Sequence, residues 1–467
     1  MSRGNVLFIF RRDLRIKDNR GLALAVQQCK GHKDRKLVLA FVFSKDQIDQ
    51  SPYYSEPAFR FMLECLEELD GKVDGKLAFF DDEDFYQSLD GIDTIVYNAD
   101  YTPYAEHRDR RIREYCESKE GLECVEVEDY TLHPIDAVKT KEGEAYQVFG
   151  YFHKAARRVE RLESTEQKLA RSRLLDGLGD KRLLKKRLEA VSSHAGSSAL
   201  LTGGRARALK RLKSVTKPFG AAYDEARDFP EREHTTMLSP YIKFGCVSVR
   251  EVRDAFERIG ANDLVKQLYW REFYANVAHH YPHVLGGMVG ERNLEMYEKF
   301  RGMAWNENEG EFVRWCEGNT GVPLVDAGMR QLNTTGYMHN RVRMVTASFL
   351  VKNLGIDWRW GERYFATKLV DYDPASNNGG WQWVAGTGTD AAPYFRVFNP
   401  FSQAERFDKE CEYVLKHVEE LRDVDVEDIL NWDKAHKKDK YAGHAYPAPM
   451  VDLKKSAEAF KKKMKRL

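Results

Sequence analysis

Tryptophan is absent from the first 269 residues of this 467-residue chain; all eight (Trp270, Trp305, Trp315, Trp358, Trp360, Trp381, Trp383 and Trp432) lie beyond them. Also lacking is any apolar run near the roughly 20 residues that a membrane-spanning helix needs. The opening MSRGNVLFIFRRDLR has a short apolar core with arginines directly behind it, which suits a buried strand better than a secretory signal. Seven cysteines (Cys29, Cys65, Cys116, Cys124, Cys246, Cys316, Cys411) contain no Cys-x-x-Cys pair, so reduced, mostly buried thiols are expected, not a disulfide or zinc framework. His279, His280 and His283 have no carboxylate or thiol partner at ligand spacing, and no metal site is expected. Net charge is nearly absent too: 74 Lys/Arg against 73 Asp/Glu leave +1, which excludes a histone-like polycation and a disordered tail protein. A soluble, intracellular protein is expected, with nucleus or cytoplasm left open.

With 42% hydrophobic and 12% aromatic residues the chain can bury large cores, and its length predicts two or three domains. Short apolar runs at 6–10, 37–43, 77–80, 94–97 and 124–127 alternate with helical-period stretches such as 56–69 and 105–119. That alternation predicts an α/β domain with a parallel sheet covered on both faces, over residues 1–135. Arg11-Arg12-Asp13-Leu14-Arg15 stands after the first strand where a dinucleotide-binding turn would need glycines. Residues 136–210 read as a long, basic, partly helical linker; between 151 and 217 there are about 18 Lys/Arg against 6 Asp/Glu. A solvated charged face and a phosphate-facing surface both fit. Residues 211–467 are helical in period and predict a larger all-α domain. Its last stretch, KKSAEAFKKKMKRL, fits a solvated tail or, alternatively, a targeting or nucleic-acid element.

Four segments carry chemistry. DYDPASNNGGWQWVAGTGTDAAPYFRVFNP (371–400) collects Asp371, Asp373, Asn377, Asn378, two glycines and two indoles within thirteen residues, a polar density that suits a pocket for a polar, planar ligand. Thr235, Thr236 and Ser239 precede a helical stretch, where hydroxyls cap the helix or hold a phosphate. Asn340 and Met344 share a helical face, and Arg341 and Arg343 beside them can grip phosphates. Gln267 and Trp270 share another face with Arg271 adjacent, as a base-binding site would require.

FRRDLRIKDN, TTMLSPYIKFG, WREF, MHNRVRM, DWRWGERYF and NNGGWQWVAGTGTDAAPYFRVFNP, in this order, resemble the photolyase/cryptochrome flavoproteins over essentially the whole chain. Within them the chain is similar to the class I cyclobutane pyrimidine dimer photolyases. The resemblance implies an N-terminal α/β antenna domain, a long linker and a C-terminal helical domain that binds FAD. It implies that Tyr223, Thr235, Thr236, Met237, Leu238 and Ser239 embrace the phosphates and ribityl chain of FAD. Arg271, Asp371, Asp373 and Asn377 would surround the isoalloxazine, with Asn377 next to N5. Trp270 and Trp383 would flank a flipped-out dimer in UV-damaged DNA, and Arg227, Gln267, Asn340, Arg341 and Met344 would line the same cavity. Excited reduced FAD would lend an electron to the dimer, and Trp381, Trp358 and Trp305 would relay electrons from the surface. A second antenna chromophore, deazaflavin or methenyltetrahydrofolate, would sit near NADYTPYAEHRDRR (98–111). A monomer is expected, with no membrane partner.

One position departs from the class I pattern, which carries Glu where this chain has Gln267. Gln there resembles (6-4) photolyases and animal cryptochromes, yet those have histidines where this chain has Asn340 and Met344. Dimer repair therefore remains the expected activity, with an altered quantum yield because an amide cannot supply a carboxyl proton. The alternatives are a blue-light photoreceptor without repair and a (6-4) photolyase.

Overall fold

The five apolar runs form five strands, β1 (Asn5–Phe10), β2 (Leu37–Phe43), β3 (Leu77–Asp81), β4 (Ile92–Asn98) and β5 (Glu123–Val127). They make one sheet in the order β3-β2-β1-β4-β5, with every pairing parallel. The computed structural model describes residues 4–32, 34–48, 51–192, 200–232, 234–286 and 292–466; much of the Ser/Gly-rich break after Val191 lies outside them. β1 is central and buried on both faces, which is why its sequence is continuously apolar. β5 lies at an edge, and its Glu123 and Glu126 keep that edge polar.

Three of the four crossings between strands are helices that begin at side-chain caps. Asn19 caps α1 (Arg20–Gln28), Ser55 caps α2 (Glu56–Lys72) and Thr102 caps α3 (Pro103–Glu117), each accepting from a backbone N–H. One face of the sheet packs Leu7, Ile9, Ile95 and Tyr97 under Ile112 and Cys116 of α3. The other face, with Val6, Phe8 and Phe10, belongs to a core that runs on into the helical domain through Val249, Leu268 and Phe273. A shared apolar core joins the two halves.

Seven helices position the site: α4 (Phe149–Ala156), α5 (Val249–Arg258), α6 (Asn262–His280), α7 (Glu309–Glu317), α8 (Asn340–Ser348), α9 (Trp358–Lys368) and α10 (Pro374–Ala385). Among the described residues no named strand follows β5, in line with the all-α expectation. A second core holds Trp315, Trp358, Trp381 and Trp432. The C-terminal helix α11 (Leu453–Met464) inserts Phe460 and Met464 into that core, so the basic tail is docked along one side.

The basic linker divides its charge among partners in both domains. Arg187 pairs with Asp81 at 2.5 Å, Arg205 with Glu251 at 2.6 Å and Arg161 with Glu257 at 2.8 Å. Part of the local positive excess is thus neutralised within the protein.

The arginine-rich turn after β1 is an interdomain bolt. Arg15 pairs with Asp129 at 2.5 Å, and Arg250 of α5 reaches Asp129 at 2.6 Å and Asp18 at 3.1 Å. All four side chains are buried, and Ser248 donates to Asp18 as well. Burial raises the cost of ionising Asp129, but Arg15 and Arg250 outweigh it and hold its carboxyl below the usual range. Its contribution to stability is therefore present above the unfolded carboxylate pKa and lost as pH falls through the folded one. Arg250→Ala would leave two buried carboxylates short of a partner and is expected to cost about 3–5 kcal/mol. Denaturant unfolding checks this; a loss below about 1 kcal/mol would show that the cluster adds little.

Candidate functional site

Helix α10 organises the site. Asp373 caps it by accepting from the Ser376 N–H at 2.9 Å, Pro374 fits its first turn, and Gly386 ends it at φ 84°. Gly379 is required because a Cβ there would lie 2.1 Å from the Tyr274 ring of α6. Its neighbour Gly380 differs, since a Cβ there would meet nothing within 4 Å. One glycine admits a helix contact and the next faces open volume.

The two asparagines do different work. Asn378 is buried, donates to the Val284 carbonyl at 2.7 Å and accepts from Gln382 at 3.0 Å. Gln382 in turn bonds the backbone of Leu294 and Met296. One of the four polar side chains expected to face a ligand therefore buttresses neighbouring loops. Asn377 donates through Nδ2 to the Glu362 carbonyl at 3.0 Å and to Glu362 Oε1 at 2.9 Å. Those two bonds fix the amide orientation and leave its Oδ1 as an acceptor. Burial raises the Glu362 carboxyl to about 7, and the bond from Asn377 only partly offsets it.

The two aspartates also separate. Asp371 takes Arg343 at 3.0 Å and the Ser239 hydroxyl at 2.6 Å. Arg343, expected to grip phosphate, is thus committed to a carboxylate. Asp373 binds Arg12 of the turn after β1 and accepts from Tyr130 at 2.8 Å. Burial opposes its ionisation, yet Arg12, Arg271 and the Ser376 N–H hold it well below the usual carboxylate range. Arg271 lies over the Tyr130 ring at 3.7 Å and donates to the Tyr130 carbonyl at 2.9 Å. Lys243 stands beside them over Phe244, and burial together with Arg12 lowers it to about 8 despite Asp373 and Asp371.

Ahead of Asp371's partner Ser239, the chain turns through Met237 at φ 47° and Leu238 at φ −85°. A methionine in the left-handed region is strained, and such an alternation aims successive N–H groups to one side. Thr235 and Thr236 precede it, and Thr236 Oγ1 accepts from the Leu238 N–H at 3.4 Å. Tyr223 is half-buried, with Arg227 over its ring at 5.6 Å.

On the base-binding faces, Trp270 stacks on Phe149 of α4 with centroids 3.6 Å apart, so one side of the indole is taken by the linker. Gln267 is half-buried and, among the described residues, donates only back to the Asp263 carbonyl at 3.3 Å. Arg341 pairs with Asp228 at 2.5 Å over the Phe407 ring, beside exposed Asn340 and half-buried Met344. It lines a cleft of about 500 Å³ with Arg396, Asn399 and Arg406. His339 serves as the N-cap of α8, its Nδ1 accepting from the Arg341 N–H.

The three chosen tryptophans run from inside to outside: Trp381 and Trp358 are buried and Trp305 is half-buried. Trp383 is half-buried on α10. Gly361 of α9 makes room for Trp381, since a Cβ there would lie 2.1 Å from the indole. The aromatic contacts of Trp381 are with Phe365 at 5.0 Å and Trp315 at 6.1 Å. Trp315, Arg12, Tyr130, Lys243, Glu362, Arg396 and Arg406 were not singled out from sequence as site residues. Arg12 carried a signal through the glycine-free turn after the first strand, and Lys243, Glu362 and Arg396 lie inside the quoted motifs.

Comparison with known proteins gives a consistent picture. Residues 6–170 match the family model described as DNA photolyase, and residues 264–466 match the FAD binding domain of DNA photolyase. A deoxyribodipyrimidine photo-lyase of Halobacterium salinarum is 35% identical over 96% of each chain. An archaeal photolyase structure from Sulfolobus tokodaii with two FAD molecules is 36% identical, covers 99% of this chain and 100% of its own, and has a TM-score of 0.83. A Synechocystis cryptochrome structure is 25% identical, covers 98% of each chain and has a TM-score of 0.79.

The residues present fit FAD. Open volume beside Gly380, an oriented amide acceptor at Asn377, a carboxylate at Asp371 and the strained turn at Met237 match a ligand that joins a planar ring to phosphates. Glu362 offers a direct check on this geometry. Its raised pKa means its contribution to stability is full below about 4.3, the ordinary Glu value, and is lost as pH rises through the folded value near 7. Glu362→Gln is expected to flatten the pH dependence of unfolding between about pH 4 and 7, measured by denaturant titration on the flavin-loaded protein.

Proposed function

Because this chain belongs to the DNA photolyase family, we propose that it repairs UV-damaged DNA by splitting cyclobutane pyrimidine dimers in blue light. The observation that carries this reading is helix α10. It sets the oriented Asn377 acceptor one turn before buried, oxidisable Trp381, with Trp383 two residues further on.

FAD held by these residues would supply the photoexcitable one-electron donor and acceptor that dimer splitting needs. Asn377 Oδ1 would accept a hydrogen bond from the edge of the flavin ring, and Asp371, paired with Arg343, would accept from a second donor. Thr235, Thr236, Ser239 and the N–H groups around Met237 receive the phosphates and ribityl hydroxyls, with Tyr223 and Leu238 alongside. Arg271 and Asp373 set the charge on the far side. Trp270 and Trp383 flank the extruded dimer, and Gln267 donates to its carbonyls. Arg227 and Arg341, joined by Arg396 and Arg406, hold the DNA backbone without reading sequence. Trp381, Trp358 and Trp305 carry an oxidising equivalent outward from the buried site. His339 is used as a helix cap, and Asn340 and Met344 occupy the cavity positions, which favours cyclobutane dimers over (6-4) lesions. For a second chromophore, the two FAD molecules of the Sulfolobus structure add a flavin to the choice between deazaflavin and methenyltetrahydrofolate near Asn98–Arg111.

An oligonucleotide carrying one cyclobutane dimer, illuminated with the reduced protein, tests the function. Restoration in blue light and none in the dark is expected. Repair of (6-4) lesions alone, or photochemistry without repair of either lesion, would overturn it. Trp381→Phe is expected to abolish light-driven reduction of the flavin while chemically reduced protein still repairs. Gln267→Ala should weaken dimer binding by about fivefold, the loss of one hydrogen bond.

A further inference from the structure

The end of α6 meets a carboxylate that lies far from it in sequence. His279 Nε2 is 3.8 Å from Asp136 Oδ2, and His280 Nε2 is 3.7 Å from Asp136 Oδ1. One ligand atom from each of the three residues lies within 4.8 Å of the other two. These separations are too long for hydrogen bonds, and His280 Nε2 is buried with no hydrogen-bond partner. Two imidazoles and a carboxylate therefore converge without satisfying one another.

We propose that Asp136, His279 and His280 form a binding site for a divalent first-row metal ion of the zinc type. Ligand atoms held about 2.0–2.1 Å from a tetrahedral zinc lie about 3.3 Å apart, so modest side-chain rotation closes the gap. Two nitrogens and one oxygen select zinc-like ions over magnesium or calcium, which take oxygen shells. The negative end of the α6 dipole also favours a cation here. Asp136 is mostly exposed, so water completes the coordination. Lys139 lies 2.6 Å from Asp136 Oδ1 and competes for the carboxylate, leaving Oδ2 as the available ligand. The expectation of no metal site considered spacing along the chain, whereas the carboxylate arrives from the loop after β5.

The ion would tie that loop to the helix that carries Gln267, Trp270 and Arg271. The site does not depend on the repair reading. Isothermal titration of the flavin-loaded protein with zinc chloride tests it. One zinc per chain is expected, with affinity falling at least about tenfold in His279→Ala, His280→Ala and Asp136→Asn. Zinc should also raise the unfolding temperature of the unaltered protein and not that of Asp136→Asn, an exposed change that leaves the fold intact. No zinc binding, or binding unchanged in the His279→Ala/His280→Ala double variant, would overturn the proposal.

Discussion

The buried ion pairs around the turn after β1 are the constraint on which the molecule depends. Arg15, Asp18, Asp129 and Arg250 satisfy one another across the boundary between the sheet and the helical domain. Ionised groups removed from water are tolerable only when all partners are present, so the cluster admits one relative placement of the two domains. Arg12 extends the same turn to Asp373, the cap of α10. The helix that carries Asn377, Trp381 and Trp383 is thereby held by the N-terminal domain as well as by its own neighbours.

This explains why net charge said little about partners. Four of the linker's arginines, Arg161, Arg171, Arg187 and Arg205, pair with acidic side chains of the two domains. Arg396 and Arg406 line a cleft in which Arg341 is itself paired with Asp228. Local geometry decides which positive charges are available to a phosphate backbone.

The parallel sheet was legible because continuous β-branched and aromatic runs separated by amphipathic stretches have few alternatives, and the helical second half followed from its period. The site was only half legible. Asn377 and Asn378 are indistinguishable in sequence, yet one is oriented by Glu362 and the other props a loop, a division set by which way successive residues face on α10. Arg343 looked like a phosphate ligand because its partner Asp371 is 28 positions away. Asp136 was invisible beside His279 and His280 for the same reason, since contacts between residues far apart in the chain leave no spacing to read.

The central claim is that the N-terminal turn and the flavin-site helix act as one unit through Arg12 and Asp373. A double-mutant cycle of Arg12→Ala and Asp373→Asn, read as FAD affinity of the purified protein, tests it most directly. The expected coupling is about 1–3 kcal/mol, the double variant binding FAD little worse than either single one. Strictly additive losses would contradict it.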